Sequence, residues 1–226
     1  MSTPMHPTSI LTLDEMDKKL DQTSYRGMIA SLLYLTANRL DIMFSVCLCS
    51  CFQSDPRESY LTAIKRIFRY LKGTTNLGLC YKKSDQDRLK DYNDVDFAGY
   101  RIGRKNTNGG CHFIGANLIS WSSKRQDIIT LSTTKHQLED YDIIESNISL
   151  LRDNTVAINL SKNPILHSRA KHIEIKHHFI RDYVQKGILD LKFINTENQL
   201  TDIFTKPLPE DKLVHIGNLF GVTFIL

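Results

Sequence analysis

The stretch Tyr92-Asn-Asp-Val-Asp-Phe-Ala-Gly99 decides the fold class that this sequence predicts. It is typical of a short β-strand that ends in a tight glycine turn, with Val95 and Phe97 on one face. Side chains alternate between the two faces of a strand, so Asp94 and Asp96 share the other face. Two like charges on one face cost free energy unless a cation or solvent compensates them. A cation site and a charged edge that protects a sheet from aggregation both explain this pattern.

Two further strands are predicted directly after this one. A basic turn over 103–109 leads to a strand at 110–115, and a second turn leads to a strand at 118–123 that holds Trp121. Together with the first strand they are expected to form a three-stranded antiparallel meander. Trp121 is interpreted as a core residue, and a stacking platform for a nucleic-acid base is the alternative.

The second half of the chain alternates between strand and helix patterns. The predicted segments are a strand at 148–151, helices at 154–161 and 172–185, a strand at 188–194, and a last helix that follows Thr196, contains Asp202 and ends before Pro207. This alternation favours a mixed α/β sheet covered by helices. If the strands at 92–99 and 148–151 pair in parallel, Asp94 and Asp153 meet at one end of the sheet. Ligands bind at that end in open α/β sheets.

The sequence before residue 84 predicts a small, mainly helical segment. A helical pattern of apolar residues begins after Ser24, which predicts a first helix. A second helix is predicted over 41–52. A third helix is expected to start with Asp55 as its cap and Pro56 in its first turn, and to end at Gly73. A short strand is then predicted over 77–81.

The charged connector at 82–90 is interpreted as a domain boundary. The predicted organisation is a flexible lead-in at 1–23, a helical segment at 24–84, a mixed α/β domain at 85–208 and a tail at 209–226.

Composition predicts a soluble intracellular protein, cytoplasmic or nuclear and not secreted. Hydrophobic residues make up 41% and charged residues 24%, and the formal net charge of +4 permits an acidic polymer as partner. No signal peptide and no membrane-spanning apolar run are recognised, so no membrane partner is expected. The five cysteines include three at alternate positions, Cys47, Cys49 and Cys51, which is not the spacing of a CxxC metal site.

Three carboxylates stand out by their predicted positions, namely Asp94, Asp153 and Asp202. Carboxylates that converge need cations, and Mg²⁺ is the natural choice for oxygen ligands. Two such ions about 4 Å apart would hold the attacking water and the leaving oxygen of a phosphodiester.

Ordered motifs over most of the chain then identify a resemblance. They are Tyr92–Gly99, Arg104-Lys105, Leu118-Ile-Ser-Trp-Ser-Ser-Lys124, Leu131-Ser-Thr133, Asp153-Asn-Thr155, Lys162-Asn-Pro-Ile-Leu-His-Ser-Arg-Ala-Lys-His172 and Gln199-Leu-Thr-Asp-Ile-Phe-Thr-Lys-Pro207. This series resembles the ribonuclease H (RNase H) domain of copia-type retrotransposon Pol polyproteins. Residues 24–83 resemble the end of the preceding reverse transcriptase, through Ile29-Ala-Ser-Leu-Leu-Tyr-Leu-Thr36, Arg39-Leu-Asp-Ile42 and Lys65-Arg-Ile-Phe-Arg-Tyr-Leu-Lys-Gly73.

The resemblance implies a ribonuclease-H-like mixed sheet and an RNA–DNA hybrid, or another nucleic acid, as partner. It implies that Asp94, Asp153 and Asp202 are catalytic ligands of two Mg²⁺ ions, for which Mn²⁺ can substitute, and that no small-molecule cofactor is needed. It also extends the expected location to a cytoplasmic virus-like particle. The basic residues Arg104, Lys105, Arg169, Lys171 and Arg181 are expected to contact backbone phosphates, with a solvated face as the alternative.

Two departures from the family pattern bear on activity. The paired aspartates of the polymerase are absent, so no DNA synthesis is expected. The family follows Leu-Ser-Thr with a glutamate-bearing helix that supplies a fourth metal ligand, whereas here Leu131-Ser-Thr133 runs into what resembles the far end of that helix. Roughly four or five helical turns are missing, so cleavage is expected to be impaired. A substitute acid, Glu139 or Asp140, a non-catalytic nucleic-acid-binding module and an inert element fragment are the alternatives.

Overall fold

The helices and strands are taken from a computed structural model, which describes residues 2–8, 11, 17–83, 89–96, 106–126, 148–153, 155, 158, 184–187 and 189–225. The helices are α1 (Gln22–Leu35), α2 (Met43–Ser50), α3 (Glu58–Gly73), α4 (Asp202–Thr205) and α5 (Glu210–Phe220), with 3₁₀ turns at Leu40–Ile42 and Thr196–Asn198. The strands are β1 (Leu77–Leu79), β2 (Leu89–Asp96), β3 (Asn106–Ile114), β4 (Asn117–Gln126), β5 (Ile148–Arg152), β6 (Leu189–Phe193) and β7 (Val222–Phe224).

Five strands form one mixed sheet in the order β4-β3-β2-β5-β6. The predicted meander is confirmed, because β3 pairs antiparallel with both β2 and β4. The predicted turn over 103–109 is wrong for 106–109, which belong to β3. The predicted parallel pairing of β2 with β5 is also confirmed, and β5 continues in parallel with β6. The molecule therefore has the mixed α/β architecture that the sequence predicts, with a sheet consistent with a ribonuclease-H-like fold.

The helical segment forms as expected, but the cap of α3 comes from an unexpected place. Asp55 was the predicted cap, and this is wrong: its carboxylate pairs with Arg57 at 2.6 Å, just before the helix begins. The backbone N–H of Ser59, in the first turn, donates instead to Oδ2 of Asp17 at 2.9 Å. A residue distant in sequence therefore supplies the acceptor that the exposed helix terminus needs.

The largest hydrophobic core extends across the sequence position of the predicted boundary. It combines buried residues of α1, α2 and α3 with Cys111 and Phe113 of β3 and with residues of α4 and α5. Trp121 packs against this core, and its Nε1–H donates to the carbonyl of Thr36 at 3.0 Å, so the core interpretation of Trp121 is confirmed. The helical segment thus covers one face of the sheet.

The residues of the predicted tail are part of this packing. Phe220 of α5 stacks on Phe113 with ring centroids 5.7 Å apart, and it also contacts Phe204. After Gly221, whose φ of 83° suits glycine, β7 pairs antiparallel with β1 in a separate two-stranded ribbon. The predicted strand at 77–81 therefore exists but does not join the main sheet.

The last predicted helix is much shorter than expected. Instead of one helix from Thr196 to Pro207, a 3₁₀ turn is followed by the four-residue α4. The helices predicted at 154–161 and 172–185 lie largely outside the described residues. Within the described part of the chain, no helix is both long and apolar enough to span a membrane.

Candidate functional site

The two predicted strand carboxylates occupy neighbouring positions at one end of the sheet. In the parallel ladder, Tyr92 of β2 is level with Leu151 of β5. Continuing this register by two residues brings Asp153 level with Asp94. Neighbouring strands lie about 4.8 Å apart, so the two backbones are close enough to share a ligand. The side chain of Asp94 is outside the description, whereas Asp153 is half-buried just beyond the end of β5.

Helix α4 lies against the sheet at the residue paired with Asp94. In the β2–β3 ladder that residue is Gly109. A Cβ atom on Gly109 would lie 2.7 Å from Cγ2 of Thr205, 2.9 Å from Cβ of Phe204 and 3.0 Å from the carbonyl oxygen of Thr201. Only glycine leaves room for this approach, which is a recognised use of glycine within a strand. The glycine thus brings α4, with Asp202, to the region of Asp94.

A buried hydrogen bond holds α4 in the same place from the next strand. Ser123 of β4 pairs with Gly109, and its hydroxyl donates to the carbonyl oxygen of Phe204 at 2.6 Å. Pro207 follows shortly after the helix and stops it from continuing. Position and length of α4 therefore follow from a glycine, a serine and a proline.

Asp202, the first residue of α4, is fully buried and has a cation on each carboxylate oxygen. Lys206 Nζ lies 2.8 Å from Oδ1, and Lys212 Nζ lies 2.6 Å from Oδ2. Lys206 is one helical turn further along and Lys212 belongs to α5. This arrangement differs from the free carboxylate that a metal ligand requires.

Two further polar side chains are buried beside Asp202. Gln199 and Thr201 are both 0% exposed. The side-chain amide of Gln199 and the hydroxyl of Thr201 have no hydrogen-bond partner within the described part of the molecule. Both side chains belong to the polar groups that proteins normally pair when they are buried.

These observations fit a divalent cation only in part. Asp94 and Asp153 are carboxylate residues at level positions of adjacent strands, and Mg²⁺ prefers oxygen donors of this type. Asp202 can join them only if its lysines move away. Among the described side chains there is no group of three or more His, Cys, Asp or Glu that could hold a metal ion. The assignment of all three aspartates as metal ligands therefore stays a prediction.

The remaining predicted site residues lie outside the described residues. They are Arg104, Lys105, Arg169, Lys171 and Arg181, together with the substitute acids Glu139 and Asp140. Their roles stay predictions.

Sequence reasoning missed the residues that surround Asp202. The pairing of Asp202 with Lys206 could have been read from their i, i+4 spacing, which favours ion pairs on a helix. Gly109 also carried a signal, since glycine inside a strand often marks a close approach of another backbone. Lys212 and Ser123 come from other elements and gave no local signal.

The chain is similar to known transposon proteins over nearly its whole length, although no protein-family model matches it. It is 39% identical, over 99% of its length, to the retrovirus-related Pol polyprotein from transposon RE1 of Arabidopsis thaliana. Over 98% of its length it is 35% identical to the corresponding polyprotein from transposon RE2 of the same plant and 32% identical to that from transposon TNT 1-94 of Nicotiana tabacum. The chain spans only 16%, 16% and 18% of these relatives, respectively.

The similarity also indicates a difference in length. The alignment with the RE1 polyprotein extends over 241 residues, although this chain has only 226. This chain therefore lacks residues that the relative has within the matched region.

Proposed function

Since the chain belongs to the retrovirus-related Pol polyproteins of copia-type transposons, we propose that its mixed sheet is an RNase H unit with impaired activity. The unit would bind RNA–DNA hybrids and hydrolyse their RNA strand slowly. The observation that carries this proposal is the placement of α4 on Gly109, the residue paired with Asp94. This packing brings three acidic positions from distant parts of the sequence to one region of the sheet.

Bound Mg²⁺ would supply the chemistry of such a unit, by polarising the scissile phosphate and generating a hydroxide nucleophile at neutral pH. Asp94 and Asp153 would hold it at the end of the two parallel strands. Asp202 would contribute one negative charge, which its two lysines more than offset. The lysines in turn could attract the phosphates of a hybrid, since ammonium groups bind phosphate as point charges.

Two features support impairment. The lysines that surround Asp202 compete with a metal ion for both carboxylate oxygens. The residues missing relative to the RE1 polyprotein agree with the loss of the glutamate-bearing helix that the sequence indicates. Misplacing a reacting group by about 1 Å can cost about 100-fold in rate, so losing a ligand should reduce turnover strongly.

Binding without cleavage is the second candidate function, and the neutralised Asp202 favours it. A phosphate backbone meets less repulsion from a carboxylate that already carries two ammonium partners. This function needs no metal ion. It differs from the first candidate only in the absence of any cleavage that depends on Asp94.

The test is a cleavage and binding assay with a labelled RNA–DNA hybrid, with Mg²⁺ or Mn²⁺, against single-stranded RNA. We expect the chain to bind the hybrid and to cut it only slightly above background, with Asp94→Asn removing the residual cleavage. Rapid cutting abolished by Asp94→Asn would contradict the impairment. Binding with no Asp94-dependent cleavage would favour the second candidate, and failure to bind would contradict both.

Metal binding can be measured without activity. Replacing both lysines, as Lys206→Met/Lys212→Met, should free Asp202 and increase the affinity for Mn²⁺, detected by electron paramagnetic resonance. Adding Asp202→Asn to that variant should reverse the gain. Equal Mn²⁺ affinity in all three proteins would show that Asp202 is no part of a metal site.

A further inference from the structure

Helix α2 is mostly buried, and its accessible side carries sulfur atoms. Phe44, Ser45, Val46, Leu48 and Cys49 are buried. Met43 and Cys47 are half-buried, and Cys51, which directly follows the helix, is exposed. Cys51 keeps helical geometry, with φ −65° and ψ −17°. Met43, Cys47 and Cys51 therefore follow one another at four-residue intervals along one face, a stripe that we call the sulfur stripe.

The sulfur stripe is closely spaced. Cys47 Sγ lies 3.6 Å from Met43 Sδ, and Cys51 Sγ donates to the carbonyl oxygen of Cys47 at 3.3 Å. Both thiols are free. Burial and the neighbouring Cys51 thiol raise the pKa of Cys47 to about 11, so this thiol keeps its proton at neutral pH when nothing is bound.

Helix geometry disfavours a disulfide between Cys47 and Cys51 but permits a metal ion to bridge them. Residues four apart on a helix have Cβ atoms about 5–6 Å apart, whereas a disulfide needs Cβ atoms about 3.5–4.5 Å apart. A disulfide would therefore require the helix to unwind. A metal ion bridges a longer gap, since two metal–sulfur bonds of about 2.3 Å span about 4.6 Å between the sulfurs.

We propose that the sulfur stripe is a binding site for one soft monovalent cation, Cu(I), held by the thiolates of Cys47 and Cys51 with the thioether of Met43 as a third, weaker ligand. Thiolate and thioether donors select Cu(I), whereas Mg²⁺ prefers oxygen. Binding releases two protons, one from each thiol, and leaves a complex of net charge −1. The ligands do not include the aspartates, although Cys47 contacts Ser123, whose hydroxyl holds α4. The proposal does not depend on the RNase H function.

The test is an anaerobic titration of the full chain with Cu(I) against a chromophoric Cu(I) chelator. We expect one Cu(I) per chain. Cys47→Ser and Cys51→Ser should each lower the affinity by more than the 10- to 100-fold that losing an outer-shell partner of a metal ligand costs. Met43→Leu should lower it less. The matched control is Cys80→Ser, because Cys80 is an exposed free cysteine outside the stripe and its loss should change nothing.

Folding is monitored separately by circular dichroism, and Cys51→Ser is the safest variant because its side chain is exposed. Cu(I) should also raise the melting temperature of the unchanged chain and not that of Cys47→Ser/Cys51→Ser, since a ligand stabilises only the state that binds it. Unchanged affinity in the double variant, affinity lost in Cys80→Ser, or no Cu(I) binding at all would overturn the proposal.

Discussion

Asp202 is a carboxylate that folding removes from water and places between two ammonium groups. Burying an unpaired carboxylate costs several kcal/mol, and close pairing with cations offsets that cost. Lys206 and Lys212 keep part of their surface in solvent, at 37% and 26% exposure, whereas Asp202 has none. The two lysines therefore matter to stability at this position, whatever their role towards nucleic acid.

Replacing Lys212 by methionine should expose this dependence. Lys212→Met leaves Oδ2 of Asp202 buried without its partner, so the free energy of unfolding should fall by about 1–3 kcal/mol, measured by urea denaturation. The control is Lys192→Met. The Lys192 ammonium group lies 3.3 Å from Asp190, in a pair exposed by 54% and 43%, and also donates an exposed hydrogen bond to the hydroxyl of Ser149. That surface pair should contribute about 0–1 kcal/mol. Equal losses in both variants would contradict the structural importance of the Asp202 pairs.

The close approach at Gly109 leads to a second prediction at this scale. Gly109→Ala would push a methyl group into Thr205 and Phe204, so we expect a loss of about 1–3 kcal/mol from overpacking. Gly27→Ala is the control, because Gly27 lies inside α1 with nothing within 4 Å of an added Cβ. There alanine should stabilise the protein by about 0.5–1 kcal/mol. A neutral Gly109→Ala would mean that α4 does not rest on this strand.

Among the elements, α3 depends most clearly on a distant residue. Asp17 accepts from the backbone N–H of Ser59 in its first turn. Hydrogen bonds from the side chain and backbone of Ser59 lower the pKa of Asp17 below 3.8. A lowered folded pKa means that the carboxylate stabilises the fold above the unfolded value, and that this contribution is lost as the pH falls through the folded pKa.

Asp17→Asn tests this linkage, because asparagine can still accept the hydrogen bond but does not titrate. The variant should be less stable than the parent near neutral pH. The difference should shrink as the pH falls below 3.8, as followed by urea midpoints across the acid range. A gap between Asp17→Asn and the parent that stays constant with pH would contradict the cap.

The elements that the sequence predicted correctly are those that local patterns determine. Period-two alternation indicated β2, and flanking turn signals indicated β3 and β4. A short apolar segment indicated β5, and period 3.6 indicated α1 and α3. The cap of α3 was misplaced because the local signals at Asp55 and Pro56 carry no information about Asp17. That residue is distant in sequence and accepts the hydrogen bond at the start of the helix. At the site, the positions of Asp94 and Asp153 followed from strand order alone. The environment of Asp202 did not, because Lys212 reaches it from another helix.

For the whole molecule, the shared core implies that the helical segment and the sheet unfold together. Phe220 is buried between Phe113 of the sheet and Phe204 of α4. The helical segment and the sheet therefore each bury part of their apolar surface against the other. A single cooperative transition is the expected behaviour of such a core.

Phe220→Ala should lower the free energy of unfolding by about 3–5 kcal/mol, because it removes a large buried ring and leaves a cavity. Its neighbour Leu219 is 47% exposed, so Leu219→Ala should stay within about 0.5 kcal/mol. Far-UV circular dichroism and Trp121 fluorescence should report the same urea midpoint in each protein. Two separate transitions would show that the helical segment and the sheet are independent.

The order in which the chain is synthesised determines when the ribbon of β1 and β7 can form. Leu77 pairs with Phe224, so β1 leaves the ribosome long before its only partner strand in the described structure. Closing so long a loop costs entropy before any contact forms, and such non-local pairing slows folding. Until α5 and β7 are synthesised, the apolar surface that they cover stays exposed on the nascent chain. Chaperones and aggregation would therefore compete for this surface until α5 and β7 have emerged.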